Sequence, residues 1–165
     1  MDLVLGLGGN LGEVLRTFAW VAAEIAKLFP VKACSQVYLT EPIGPKQPMF
    51  FNAALLLELQ RSPLELLELC QQWEREAGRN RDREIPWGPR PLDLDLLVTP
   101  QVVMAHPRLQ LPHPRLAQRR FALLPAAEVA PNLLHPLLHR SLAQLAGDPK
   151  LSGQSCQVTG PFPCP

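Results

Sequence analysis

The stretch PWGPRPLDLDLLV, Pro86 to Val98, leaves the chain little choice about how it folds. Pro and Gly stiffen an approach that carries Trp87 and Arg90, and the sequence then alternates Leu92, Leu94 and Leu96 with Asp93 and Asp95. In a β-strand successive side chains point to opposite faces, so the leucines make one face a core and the two aspartates share the other. Neighbouring carboxylates repel unless positive charge sits between them. A hard cation such as Mg²⁺ suits, because it takes one or two carboxylates and fills its other positions with water and phosphate oxygens. A solvated outer face is the alternative for an isolated Asp-x-Asp. The apolar flanks, the rigid approach and Arg90 argue against it.

The charge distribution points the same way. The chain has 165 residues, 47% of them hydrophobic, enough for one domain with a normal core. Its net charge is only +1, yet nine of its arginines lie between Arg75 and Arg120. Arginine collected in the middle of a nearly neutral chain suits one compact polyanion better than a general nucleic-acid surface. Its planar fork also matches phosphate oxygens bidentately.

Cys34, Cys70, Cys156 and Cys164 show no metal-ligand spacing with the four histidines. Cys34 and Cys70 read as small core residues, and only Cys156 and Cys164, in the tail, invite a bridge. The opening MDLVLGLGGN has no basic leader, and no run of 18 apolar residues occurs. These features predict a soluble, cytoplasmic protein of a reducing compartment.

In order along the chain, Asp2 to Leu7 reads as a strand that turns at Gly8-Gly9-Asn10, with Asn10 as the N-cap of a helix through Leu11, Val14, Leu15, Phe18, Val21, Ile25 and Leu28. The glycines lack the spacing of a dinucleotide loop and the lysine of a P-loop, so they predict a tight turn. Val31 to Tyr38 reads as a second strand. The stiff segment TEPIGPKQPMF, Thr40 to Phe50, is a shaped loop of the kind that lines sites. In a third strand, Phe51 to Leu59, Asn52 shares a face with Phe50, an amide beside an aromatic ring that suits a flat heterocycle. Ser62-Pro63-Leu64-Glu65 is a helix start with a capping box. That helix runs to about Ala77, with Gly78 after it, and places Glu74 in its last turn, either paired with an arginine or used. The arginine-rich loop before the Asp strand predicts a lid over a phosphate chain. Beyond it the pattern weakens: Arg108 and His113 are candidate phosphate contacts, Phe121 to Leu124 opens a helix that continues past Pro125, and Leu142 to Ala146 is a last helical turn. Residues 1–146 form one domain in this reading, and 147–165 a poorly ordered Pro/Gly/Ser tail. The order β-α-β-β-α-β predicts an α+β, ferredoxin-like fold with an antiparallel-rich sheet, helices on one face and a C-terminal extension. The other face stays open for ligand.

Four strings in order, GLGGNLG, TEPIGPKQPMFFNAAL, GRNR with PWGPRPLDLDLL, and LPHPRLAQRRFALLPAAEVAP, resemble the 6-hydroxymethyl-7,8-dihydropterin pyrophosphokinases of folate biosynthesis, from about Leu3 to Pro131. The resemblance implies an ATP-dependent diphosphotransferase that moves the pyrophosphoryl group of ATP to the pterin hydroxymethyl group, giving AMP, with two Mg²⁺. It implies Asp93 and Asp95 as metal ligands, Phe50 and Phe121 as the pterin sandwich, and Asn52, Thr40 and Ile43 along its edge. Glu74, Arg79, Arg81, Arg90, Arg108, His113 and Arg119 fall on nucleotide or phosphate positions, and Trp87 lies with them on the closing loop. Asp95, Arg90 and Arg81 are the expected catalytic residues. ATP and a pterin are the expected partners of a monomer that binds neither nucleic acid nor membrane. The chain departs from the pattern at Gly9, commonly Ser, at Phe50, often Tyr, at Pro86, often basic, and in a loop from Arg81 to Trp87 about a residue longer. Two rivals are disfavoured: a single-stranded RNA binder needs aromatics in an RNP-like pattern and a basic sheet surface, neither of which is evident, and a two-metal nuclease needs further carboxylates near the pair, which the sequence does not offer.

Overall fold

Alternation along the first strand sets the layers. The computed structural model describes residues 1–165, and in β1, Asp2–Gly9, the side chains of Leu3, Leu5 and Leu7 enter one buried cluster while Val4 enters another on the opposite face. Helix α1, Val14–Ala26, covers the first face with Phe18, Val21 and Ile25. Full burial of each such side chain contributes about 1.5–3 kcal/mol. The chain returns through β2, Val31–Cys34, and β3, Gln36–Thr40, then β4, Phe50–Glu58. The single strand expected over Val31 to Tyr38 is broken at Ser35, whose Oγ accepts the Ala54 N–H, and both pieces pair with β4.

Helix α2, Pro63–Glu76, begins as its sequence predicts: Ser62 and Glu65 form a reciprocal capping box, and Pro63 fills the first turn. It adds Leu66, Cys70 and Trp73 to the first cluster. Strand β5, Asp93–Val98, then pairs antiparallel with β1. The sheet order β5-β1-β4-β3, with every neighbour antiparallel, is the ferredoxin-like arrangement.

Four expectations require correction. Asn10 does not cap α1, whose N-cap is Glu13; its amide is drawn into contacts with two distant loops. The second sheet face is not open: α3, Arg120–Val129, and α4, Leu142–Ala146, pack Leu123, Ala126, Leu142 and Leu145 against Val4, Ala54, Leu97 and Val98. A hairpin of β6, Met104–His106, and β7, Leu109–Leu111, lies where the sequence showed no pattern. Finally, the tail is structured. Strand β8, Gln157–Pro161, adds to the edge of β3, Phe162 stacks on Phe18 at 5.9 Å, and Cys164 bonds to Cys34 rather than to Cys156. Pro and Gly made this segment look unable to fold, but an existing sheet edge supplies the partner its own sequence lacks.

Candidate active site

The start of α3 lies beside the Asp pair: Phe121 and Ala122 line the same cavity as Asp93 and Asp95. Asp93 lies opposite Gly8 of β1, Gly8 opposite Asn52 of β4, and Asn52 opposite Tyr38 of β3, so one row crosses the sheet. Gly8 and Gly9, expected in a turn, belong to β1. A Cβ on Gly8 would stand 3.3 Å from Asn52 Oδ1 and 3.8 Å from the Asp93 Cβ, so its absence keeps the floor between amide and carboxylate bare.

Two cavities meet there. One, of about 710 Å³, is lined by Thr40, Ile43, Phe50, Asn52, Trp87 and Phe121 with Gly6 and Gly8. The other, an open cleft of about 1100 Å³, is lined by Arg79, Arg81, His113 and Arg115. Trp87, Arg90, Asp93, Asp95 and Arg119 line both. The carboxylates therefore stand on the wall between an aromatic chamber and an arginine cleft. Asn52 is buried and donates from Nδ2 to Thr40 Oγ1 at 2.7 Å, which fixes its amide.

The two aspartates differ sharply. Asp93 accepts from Arg79, and its other oxygen pairs with Arg90 Nη2 at 2.9 Å. Burial raises its pKa, but the Arg90 and Arg79 guanidiniums outweigh this and hold the carboxyl below its ordinary range. Asp95 has no ion pair. Burial first, and then the neighbouring Asp93 charge, push it up to about 7. A half-buried carboxylate without an ion pair, beside a second carboxylate, is a donor set that fits Mg²⁺. No three His, Cys, Asp or Glu side chains converge anywhere in the chain, so the remaining coordination positions fall to water and phosphate.

Behind this wall stands an ionic frame. Arg79 is buried, donates from Nη1 to Glu74 at 2.9 Å and from Nε to Glu84 at 2.6 Å, and also holds Asp93. Burial alone would lower the Arg79 pKa, but Glu84, Asp93 and Glu74 together raise it. Glu74 also accepts the Leu94 N–H at 2.9 Å and Arg81 Nη2 at 2.6 Å. Glu74 and Arg79 are thus struts that fix β5 to the end of α2, and Glu74 reaches neither shared cavity. Arg81 lines the cleft and is more than half exposed. Arg108 lines neither cavity and pairs with Glu68 at 3.1 Å on the surface. His113 lines the cleft with its Nδ1 accepting the Arg115 N–H. Burial and then Arg119 and Arg115 hold its pKa down at about 4.

Three residues escaped the sequence reading. Asn10 donates to Gln47 Oε1 at 3.0 Å and to the Pro48 carbonyl at 2.9 Å, and it accepts the Arg90 N–H at 2.9 Å. Gln47 in turn donates to the Trp87 carbonyl at 2.7 Å. One polar chain therefore joins the end of β1, the shaped loop and the WGPR loop. Arg115 is the third: its guanidinium lies 5.0 Å from the Trp87 ring, with Arg119 at 5.8 Å. Trp87 itself takes a left-handed backbone, φ 62°, against Gly44. The arginine-rich spacing was visible, but which arginines would stack depends on this turn.

Comparison with known proteins supplies the rest. Residues 4–131 match the family model described as 7,8-dihydro-6-hydroxymethylpterin-pyrophosphokinase (HPPK). The 2-amino-4-hydroxy-6-hydroxymethyldihydropteridine pyrophosphokinase of Synechocystis sp. is 39% identical over 144 residues, which are 86% of this chain and 73% of that protein. The Bacillus subtilis protein of the same name is 39% identical over 76% of this chain and 75% of its own length. Among solved structures, a Plasmodium falciparum HPPK-DHPS chain with pteroate superposes with a TM-score of 0.65 over 88% of this chain at 12% identity, a likeness of fold. This chain spans 43% of that larger protein.

Proposed function

We infer the work of these cavities from the premise that this chain belongs to the 7,8-dihydro-6-hydroxymethylpterin-pyrophosphokinase family. It transfers the pyrophosphoryl group of ATP to the hydroxymethyl group of 6-hydroxymethyl-7,8-dihydropterin, a step of folate biosynthesis. The observation that carries the assignment of residues is the wall: Asp93 and Asp95 face both the aromatic chamber and the arginine cleft.

In this reading the pterin ring lies between Phe50 and Phe121, with its edge toward Asn52, Thr40 and Ile43. The phosphates of ATP lie along Arg81, Arg90, Arg115 and Arg119, near His113 and Trp87. Arg90, 5.0 Å from the Phe50 ring, links the two ligands. The hydroxymethyl oxygen attacks the β-phosphorus, the bond from the α,β-bridging oxygen to that phosphorus breaks, and AMP leaves. The hydroxyl proton passes to Asp95 or to water that Asp95 holds. Mg²⁺ bound at Asp93 and Asp95, proposed as two ions, supplies neutralisation of the phosphate charge when present. The protein contributes mainly position and fixed charge, which is what phosphoryl-type transfer needs. Arg79 and Glu74 act by holding Asp93, and Arg108 contributes only if the hairpin moves toward the cleft. The arginine-rich loop closes over the cleft and excludes water. No helix is long and apolar enough to cross a membrane, and the protein is proposed to act as a cytoplasmic monomer. In a reducing setting Cys34 and Cys164 would be thiols, with β8 held by its ladder and by Phe162.

Mixing the protein with ATP, Mg²⁺ and 6-hydroxymethyl-7,8-dihydropterin and separating the nucleotides tests the reaction. AMP formed only with pterin present is expected; ADP instead means ordinary kinase chemistry. Asp95→Asn is expected to lower turnover by about 100-fold or more while pterin affinity stays near that of the wild type. Near-normal turnover would remove Asp95 from the site.

A further inference from the structure

Helix α3 starts without a cap of its own. Arg119 stands at the N-cap position and makes no capping hydrogen bond, since a guanidinium carries donors and no acceptor, and its side chain is turned into the site, 5.8 Å from the Trp87 ring and 5.5 Å from the Phe121 ring. The first N–H groups of a helix have no partner inside it, and a local Ser, Thr, Asp or Asn normally supplies one. Here the partner comes from 34 residues further on. The Arg120 N–H donates to Gln154 Oε1 at 2.8 Å, and Gln154 Nε2 donates to the Gln118 carbonyl at 2.9 Å. Arg120 answers with Nη1 donated to the Gln154 carbonyl at 2.9 Å. Gln154 thus grips the chain on both sides of Arg119. Its own place is fixed downstream, where β8 pairs with β3 and Phe162 enters the core. Gln154, β8 and Phe162 all lie beyond residue 131, where the match to the family model ends.

We propose that Gln154 is a positioning residue for the transfer reaction: it caps α3 from outside, so that the N-cap position is free to present Arg119, and Phe121 two residues on, to the two ligands. The inference rests on the reading of Arg119 and Phe121 as ligand contacts. Arg119 could not serve in this way if its position carried the usual short capping side chain. Loss of the clasp lets the 118–121 backbone fray, and both the aromatic wall and the shared guanidinium lose their places.

Wild type, Gln154→Ala and Gln154→Glu are to be compared well below their melting transitions. Glutamate keeps the acceptor for the Arg120 N–H, turns the donor toward the Gln118 carbonyl into a second acceptor that must swing away from it, and adds a negative charge at the helix N-terminus. Gln154→Ala is expected to raise KM for 6-hydroxymethyl-7,8-dihydropterin about fivefold and to weaken ATP binding as well, because Phe121 and Arg119 both lose their places, the order of effect a lost cap carries. Amide hydrogen exchange at Arg120 should be faster in Gln154→Ala, with Gln154→Glu, which keeps the acceptor for that N–H, between alanine and wild type. Should Gln154→Ala fail to fold, Gln154→Met, of similar length and without hydrogen-bonding groups, carries the same expectation. An alanine or methionine variant with a lower melting temperature but an unchanged pterin KM overturns the proposal, as does a glutamate variant no better than alanine. A wild-type protein that yields no AMP overturns the pyrophosphokinase reading itself, which separates the two failures.

Discussion

His113 shows how a single residue pays into stability through its protons. Its folded pKa, about 4, lies below the ordinary 6.5 because the ring is partly withdrawn from water and feels the charges of Arg119 and Arg115. Between those values the unfolded chain binds a proton that the folded chain refuses, so stability rises with pH across this range and is lost as pH falls from about 6.5 toward 4. His113→Asn keeps an acceptor for the Arg115 N–H and removes the titration. Its melting temperature is expected to fall less than that of the wild type between pH 7 and pH 5, and equal slopes would show that His113 is not held neutral. Asp93 and Asp95 make a related point about legibility. Their alternation with leucine announced a two-faced strand, and the structure has one. That one would be bound by two arginines and the other left bare depended on Arg79 and Glu74, which α2 brings from elsewhere.

At the scale of elements, the legible parts were those whose reasons are local. The start of α2 is complete within Ser62 to Glu65, and the structure builds the same capping box. Asn10 misled because a good capping residue and a good loop clamp are the same side chain. Its true partners, Gln47 and Arg90, lie 37 and 80 positions away. The end of β1 offers a test. A Cβ on Gly9 would stand 2.5 Å from the Pro91 carbonyl oxygen, so β1 and the approach to β5 pack with no room for a side chain. Gly9→Ser introduces the residue common in the family and is expected to destabilise this chain by about 1–3 kcal/mol in denaturant unfolding, as overpacking does. Unchanged stability would mean that the Pro91 peptide yields freely.

Over the whole molecule, the C-terminal segment turns a four-strand motif into a wider sheet and ties its last residues to β2. In the oxidised protein Cys34→Ala is expected to lower the unfolding free energy by about 2–4 kcal/mol, the usual contribution of such a crosslink. With dithiothreitol present the variant and the wild type should unfold alike, and AMP formation should be the same in both. A stability gap that persists under reduction would assign the effect to packing at Cys34. No inspection of residues 147–165 alone could find this arrangement, since β8 has meaning only against an edge assembled more than a hundred residues earlier. The wall shared by the two cavities has its own corollary. Of the three tryptophans, Trp73 is buried under the sheet and Trp20, within α1, is partly buried against the same core, while Trp87 stands about half exposed where both cavities meet. Its indole emission, already in the field of two guanidinium groups, is a native optical reporter: filling either chamber changes the same unlabelled signal, so the order in which the ligands arrive can be followed by stopped-flow fluorescence.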